Sequence, residues 1–189
     1  MRLITWNIQW GVGVDRRLDL ERVVRDARRI ADFDVLCLQE VADNFSELHG
    51  SRGENQFATI ADLLPGYTAV EGVALDVPDK DGRRKRFGNM ILSRYPVGQI
   101  LRYTLPWEAD DTNNMPRMLV EAVLATPSGP VRVMTTHLEY SSARLRAAQV
   151  EAIREAHRTA CARVSLPRKP GQGTYAVHAA SFSDPDRRL

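Results

Sequence analysis

A chain of 189 residues, 43% hydrophobic and 26% charged, has the length and composition of one domain with a real core. Its formal net charge of +2 is too small to mark a nucleic-acid binder by itself, and no apolar stretch reaches membrane-spanning length. The N-terminus enters a strand pattern directly, Met1-Arg2-Leu3-Ile4-Thr5-Trp6, with no long apolar run behind a basic start. No signal peptide is read, and the cytoplasm is the expected compartment. Cys37 and Cys161 have no metal-ligand spacing and are expected to be reduced packing residues.

The opening strand covers Leu3 to Ile8, and Gly11 and Gly13 follow in a loop. Leu20, Val23, Val24, Ala27 and Ile30 then recur at helical spacing, with Asp19 as cap and Leu18 as a staple onto Val23. Val35-Leu36-Cys37-Leu38 is a continuous apolar run, the mark of a strand covered on both faces. A second helix carries Phe57, Ile60, Ala61 and Leu64 and stops at Pro65-Gly66. Short β-rich segments come next, near 68–74, 90–93, 97–103, 119–125 and 131–136, with Pro127-Ser128-Gly129-Pro130 as a turn between the last two. A long helix is expected from Ser142 to Val164, with Leu145, Ala148, Gln149, Ala152, Ala156 and Ala160 on one face. This order suggests an α/β chain of sheets packed on each other with helices outside. Residues 1–189 are read as a single domain, with 166–189 as a divergent, loop-rich tail containing one strand-like run, Thr174 to Ala180.

Polar residues at the ends of buried strands are the candidates for chemistry, because strand ends hold groups rigidly. Asn7 lies in Thr5-Trp6-Asn7-Ile8-Gln9, Glu40 follows Leu38-Gln39, and His137 closes Val133-Met134-Thr135-Thr136. An amide, a carboxylate and an imidazole suit phosphoester hydrolysis. Glu40 offers oxygen to a hard cation such as magnesium or manganese. Asn7 could orient water or join the metal shell, and His137 could donate a hydrogen bond or a proton to a phosphate oxygen. Arg117, in Met115-Pro116-Arg117-Met118, could clamp phosphate with its planar fork. Each residue also has a plain reading: a solvated strand-end Glu, a turn-forming Asn, a structural His, and an Arg117 that pairs with Glu121. His49, His157 and His178 are read as structural or surface residues. The basic run Arg83, Arg84, Lys85 and Arg86 is read as a charged loop with a mild lean toward polyanions.

The wording around these residues resembles the endonuclease/exonuclease/phosphatase superfamily. Its signatures are matched in order by Thr5-Trp6-Asn7-Ile8-Gln9 and Asp34-Val35-Leu36-Cys37-Leu38-Gln39-Glu40-Val41, then by Gly88-Asn89-Met90-Ile91-Leu92-Ser93-Arg94-Tyr95-Pro96. Thr136-His137-Leu138 with Arg146-Ala147-Ala148-Gln149 completes the set. The resemblance implies a four-layer α/β sandwich of two mixed sheets flanked by helices, and a divalent-metal phosphohydrolase using in-line attack by water. It implies magnesium or manganese as cofactor, Glu40 as metal-binding glutamate, Asn7 beside it as a catalytic and metal-shell residue, and His137 on the scissile phosphate. Arg117 matches a phosphate-binding arginine of some members more loosely, while Asn89 and Gln149 are structural members of the motifs.

The family's Gly-Asp-x-Asn and Ser-Asp-His segments have no match: Gly171-Gln172-Gly173 lacks Asp, and Ser183-Asp184-Pro185 has Pro where His belongs. The chain is therefore expected to be incomplete at its C-terminal end, with a second sheet short of strands and an exposed edge inviting self-association. The substrate is expected to be a phosphate ester, with nucleic acid, a phospholipid head group and an inositol phosphate all open. The other reading is an inactive family member that binds a phosphorylated ligand or a partner protein.

Overall fold

The computed structural model describes residues 1–108 and 114–164. Strands β1 (Leu3–Asn7), β2 (Val35–Asp43), β3 (Thr68–Pro78) and β4 (Arg84–Ser93) form one sheet in the order β1-β2-β4-β3, and β5 (Val97–Thr104), β6 (Met118–Thr126) and β7 (Gly129–Thr135) form a second in chain order. Only β1 and β2 run parallel. They are joined by helix α1 (Leu20–Ile30), the crossover that a parallel pair requires. Helix α2 is Gln56–Leu63 and α3 is Ala143–Val164.

Three apolar clusters mark the interfaces between four layers. The first joins α1 and α2 to the outer face of the first sheet through Val23, Val24, Ala27, Phe57, Ile60, Leu36, Leu38, Met90 and Leu92. Val35, Cys37, Val70, Ile91, Val120, Ala122, Leu124 and Val133 fill the space between the two sheets. Leu119, Met134, Ala152, Ile153 and Ala156 join the second sheet to α3. Central strand β2 feeds both faces, which is why it is apolar without alternation. The four-layer α/β sandwich is the observed architecture.

Local chemistry sets the helix ends. Asp19 accepts from the Arg22 backbone N–H at 2.8 Å, the expected cap, and Asn55 caps α2 by accepting from Ala58 N–H at 3.1 Å. Leu18 packs against the first cluster. On α3 the buried stripe is Leu145, Gln149, Ala156 and Ala160, whereas Ala148 is exposed, one position off the stripe.

Two further expectations are corrected. Residues Arg83 to Arg86 do not form a loop: Arg84, Lys85 and Arg86 lie in β4, and each member of the run pairs with an acid. Arg83 meets Asp81, Arg84 meets Asp76, Lys85 meets Glu47 and Asp79, and Arg86 meets Asp43 and Glu71. Their charge is balanced locally, which removes the lean toward polyanions at this hairpin. Cys161 is exposed rather than packed, while Cys37 is buried. No helix among the described residues is long and apolar enough to cross a membrane. The tail read at 166–189, with His178 and the two mismatched motif positions, lies outside the described residues.

Candidate active site

The register brings the predicted residues to one end of the sandwich. In the parallel pair Asn7, the last residue of β1, faces Gln39, so it lies level with Glu40. That residue is not at a strand end as expected but within β2, because the strand runs on to Asp43. Across β2 and β4 the pairing runs Gln39 to Asn89 and then Val41 to Gly88, leaving Glu40 as the extra residue of a bulge. Glu40 has φ +61°, a left-handed conformation that glutamate adopts only when its surroundings impose it. The bulge turns the carboxylate away from the alternation of β2 and toward the cleft, a known use of bulges beside functional sites.

In the second sheet β6 and β7 are antiparallel, with Val120 opposite Thr135. Arg117, just before β6, and His137, just after β7, therefore meet at the same end. The seam between the sheets is fastened at this level. The Met118 carbonyl accepts both from Asn89 Nδ2 of the first sheet and from Thr136 Oγ1 of the second, each at 2.9 Å. Gln39 Nε2 donates to Thr135 Oγ1 at 2.9 Å and to Thr5 Oγ1 at 3.2 Å. Asn89 is thus a buried cross-sheet tie. Gln149 is a buried tie of a different kind, from α3 to the segments after β5 and β7: its side chain accepts from Glu139 N–H at 2.9 Å and donates to the Pro106 carbonyl at 3.0 Å.

Glu40, Asn89, Arg117 and His137 line one small cleft together with Phe87, Gly88 and Met115. Asn7 Nδ2 donates to Glu40 Oε1 at 2.8 Å, and Asn7 Oδ1 accepts from the Gln9 backbone N–H at 3.0 Å. The second bond fixes the amide's orientation, so Asn7 presents its N–H₂ to the carboxylate. His137 Nδ1 lies 3.7 Å from Glu40 Oε1, too far for a hydrogen bond, and 3.2 Å from Arg117 Nη1. A guanidinium can only donate, so Nδ1 is the acceptor and a neutral ring carries its proton on Nε2. Burial, reinforced by the charge of Arg117 and opposed by Glu40 and Glu139, holds the His137 pKa below its ordinary value.

Sequence reasoning missed Glu139. Arg117 does not pair with Glu121, which accepts from the Tyr103 hydroxyl at 3.5 Å and has Arg132 at 3.9 Å. Its partner is Glu139, with Nη2 donating to Oε2 at 3.3 Å in a fully buried contact. Burial alone would raise the Glu139 pKa. The hydrogen bonds from Ser141 Oγ and N–H, together with Arg117, outweigh it and hold the carboxyl at about 2. A single Glu in a loop after a strand carries no periodic signal, so nothing in the sequence singled it out. His49 and His157 lie away from the cleft. The first contacts the Arg16 carbonyl at 3.0 Å, and the second contacts Arg132 at 2.9 Å.

A divalent cation is implied by the resemblance, and the donor set can be tested against it. Glu40 keeps Oε2 without a hydrogen-bond partner among the described residues, on a side chain only 16% exposed. No group of three His, Cys, Asp or Glu that could hold a metal occurs among the described residues. The Glu40 carboxylate oxygens fit a hard cation that retains much of its water and completes its shell on a substrate phosphate. They do not fit a site that requires nitrogen or sulfur ligands. Asn7, expected in the metal shell, instead turns its N–H₂ to Glu40 and its oxygen to the Gln9 N–H and so serves to align the carboxylate.

The structural comparisons agree with this architecture. The chain is similar to an endonuclease/exonuclease/phosphatase family protein from Leptotrichia buccalis C-1013-b, at 12% identity and TM-score 0.57, over 82% of this chain and 62% of that one. It is similar to the mannosyl-6-phosphatase Bt3783 of Bacteroides thetaiotaomicron VPI-5482, at 16% identity and TM-score 0.56, over 83% and 58%. A third is D. rerio TDP2 complexed with single strand DNA product, at 20% identity and TM-score 0.54, over 82% and 54%. These identities speak for the fold, which is of the phosphoesterase type, and the chain spans 54–62% of the length of these three proteins. No curated protein sequence matches it. The family model described as Endonuclease/Exonuclease/phosphatase family matches residues 4–167, which takes in all the strands and helices described above but for Leu3, the first residue of β1: the chain belongs to that family.

Proposed function

We propose that the cleft serves divalent-metal-dependent hydrolysis of a phosphoester, most simply a phosphodiester, by in-line attack of water. The observation that carries the reading is the convergence of Asn7, Arg117 and His137 from three strand ends on Glu40, which is held inside β2 in a left-handed bulge. Glu40 would hold magnesium or manganese, with Asn7 aligning its carboxylate. When bound, such a cation neutralises phosphoryl charge and makes a bound water more acidic. His137 presents Nε2–H to a phosphate oxygen as a hydrogen-bond donor. Arg117 supplies fixed positive charge at the floor of the cleft, where charge builds on the phosphoryl oxygens.

A second reading, phosphoryl binding without turnover, has its own observation. With Arg117 donating to Nδ1, a neutral His137 has no free ring nitrogen to act as base. Glu40 is the one carboxylate lining the cleft among the described residues. In this reading the outer edges of β1 and β7, unpaired among the described residues, are where a second copy or a partner protein would add strands.

The test is hydrolysis of bis(p-nitrophenyl) phosphate by the purified chain with manganese or magnesium, then with chelator. The hydrolase reading expects metal-dependent turnover that falls by roughly 10²–10³ in Glu40→Ala. Absence of turnover in a folded sample that still binds inorganic phosphate supports the second reading.

A further inference from the structure

We propose that Glu139 is a positioning residue that presets Arg117 as the anion clamp of the cleft, an inference that rests on the phosphoryl-binding reading above. Glu139 is fastened at every polar group it owns. Its Oε1 accepts from Ser141 N–H at 2.8 Å and from Ser141 Oγ at 2.5 Å, and its Oε2 accepts from Arg117 Nη2 at 3.3 Å. Its backbone N–H donates to Gln149 Oε1 at 2.9 Å, and its carbonyl accepts from Arg146 Nη1 at 2.9 Å. The carboxylate is fully buried, and the arginine it meets is 5% exposed.

A buried ion pair is a poor device for stability, because desolvation of both charges offsets their attraction. Its presence here calls for a further reason, and the geometry of the guanidinium supplies one. Nη2 is turned to Glu139 and Nη1 to His137, which fixes the plane of the fork. Nε is buried and has no hydrogen-bond partner among the described residues. A buried N–H donor without a partner is rare enough to call for an explanation. The arginine itself lines the same cleft as Glu40 and His137. A guanidinium anchored by a carboxylate behind it, with a donor still unmatched, is pre-organised for a second anion whose planar or tetrahedral oxygens fit the fork. Glu139 does not touch that anion; it keeps the clamp aimed, and by the same contact it holds the Arg117–His137 bond in place.

The experiment is titration of inorganic phosphate into the full chain with chelator present, so that no cation contributes to binding. The resonances of Arg117 Nε–H and the His137 ring are followed by NMR. Wild type, Glu139→Gln, Arg117→Lys and the double variant are compared, with folding verified by circular dichroism and urea melts. Glu139→Gln should weaken phosphate binding by about 10–100-fold, and the double variant should bind no more weakly than Arg117→Lys alone, because both act through one group. Ser141→Ala, at an exposed residue, loosens the same carboxylate without threatening the fold and should weaken binding in the same direction. The proposal is overturned by wild-type affinity in a folded Glu139→Gln or in Ser141→Ala, by additive losses in the double variant, or by a wild type that binds no phosphate. Failure of metal-dependent turnover with Glu139-dependent phosphate binding intact would remove the hydrolase reading alone.

Discussion

Nη1 of Arg117 stands 3.2 Å from Nδ1 of His137, and that single contact decides which face of the imidazole is available to a ligand. It makes the Nε2–H tautomer the expected neutral form, which ¹⁵N NMR of the ring reads directly. It also works against protonation, in the same direction as burial, so the ring should titrate below 6.5. The unfolded chain then takes up a proton near pH 6.5 that the folded chain refuses, and stability should fall as pH drops through that value. An Nδ1–H tautomer, or a midpoint at or above 6.5 in the folded protein, would contradict the arrangement.

Glu139 governs the far acid limb. Its folded carboxyl sits at about 2 against 4.5 for the ordinary group. A depressed carboxylate stabilises the fold fully above the unfolded value, and that contribution drains away as pH falls from about 4.5 toward 2. Urea midpoints recorded from pH 6 down to pH 2 should show this loss in wild type. The same curve for Glu139→Gln should start lower and be flatter across the window; identical slopes would sink the assignment.

Of the two glycines in the first sheet, Gly72 and Gly88, Gly88 has the less room for a side chain. A Cβ placed there would lie 2.2 Å from the Gly72 carbonyl oxygen and 2.9 Å from the backbone of Val73 and Ala74. All of these are backbone atoms, which cannot rotate aside. Gly88→Ala must therefore shift the β3–β4 pairing beside the Glu40 bulge. The expected cost is on the order of 3 kcal/mol or more, measured as a lowered urea midpoint. A variant within 0.5 kcal/mol of wild type, roughly the range of ordinary surface changes, would show that the strands separate more easily than their packing indicates.

The two thiols should separate cleanly under alkylation. Burial pushes the Cys37 thiol up to about 12, only partly offset by a hydrogen bond with Thr135, and the side chain lies between the two sheets. Cys161 is exposed on α3. Iodoacetamide at neutral pH should add one label to the native chain, at Cys161, and a second only in denaturant. Native labelling of Cys37 would mean that the inter-sheet core opens.

Much of this arrangement was legible in the order of residues. Asn7, Glu40 and His137 each follow an apolar run, but each also has a plain reading, and it is the motifs around them that single them out. The α1 cap at Asp19 and the stop of α2 near Pro65 followed from local chemistry alone. What failed depended on partners distant in sequence. Arg117 and Glu121 are four residues apart, a contact distance on a helix. On strand β6 the same separation spans about 13 Å, and the arginine is left to find Glu139. The Arg83 to Arg86 run looked like a solvated loop because most of its acidic partners, Asp43, Glu47, Glu71 and Asp76, come from other segments. Cys161 was misplaced by the narrowness of the α3 stripe, where one residue of offset exchanges interior for solvent.

The left-handed backbone at position 40 has a consequence for how this protein would drift. Glycine or asparagine would occupy φ +61° with less strain than glutamate does, so folding alone favours replacing Glu40, while phosphoryl chemistry alone favours keeping it. The residue found at this position in sister sequences therefore reports which demand prevails. Glutamate retained across them would mark a cleft still in use, and glycine or asparagine would mark lineages in which the fold has outlived its chemistry.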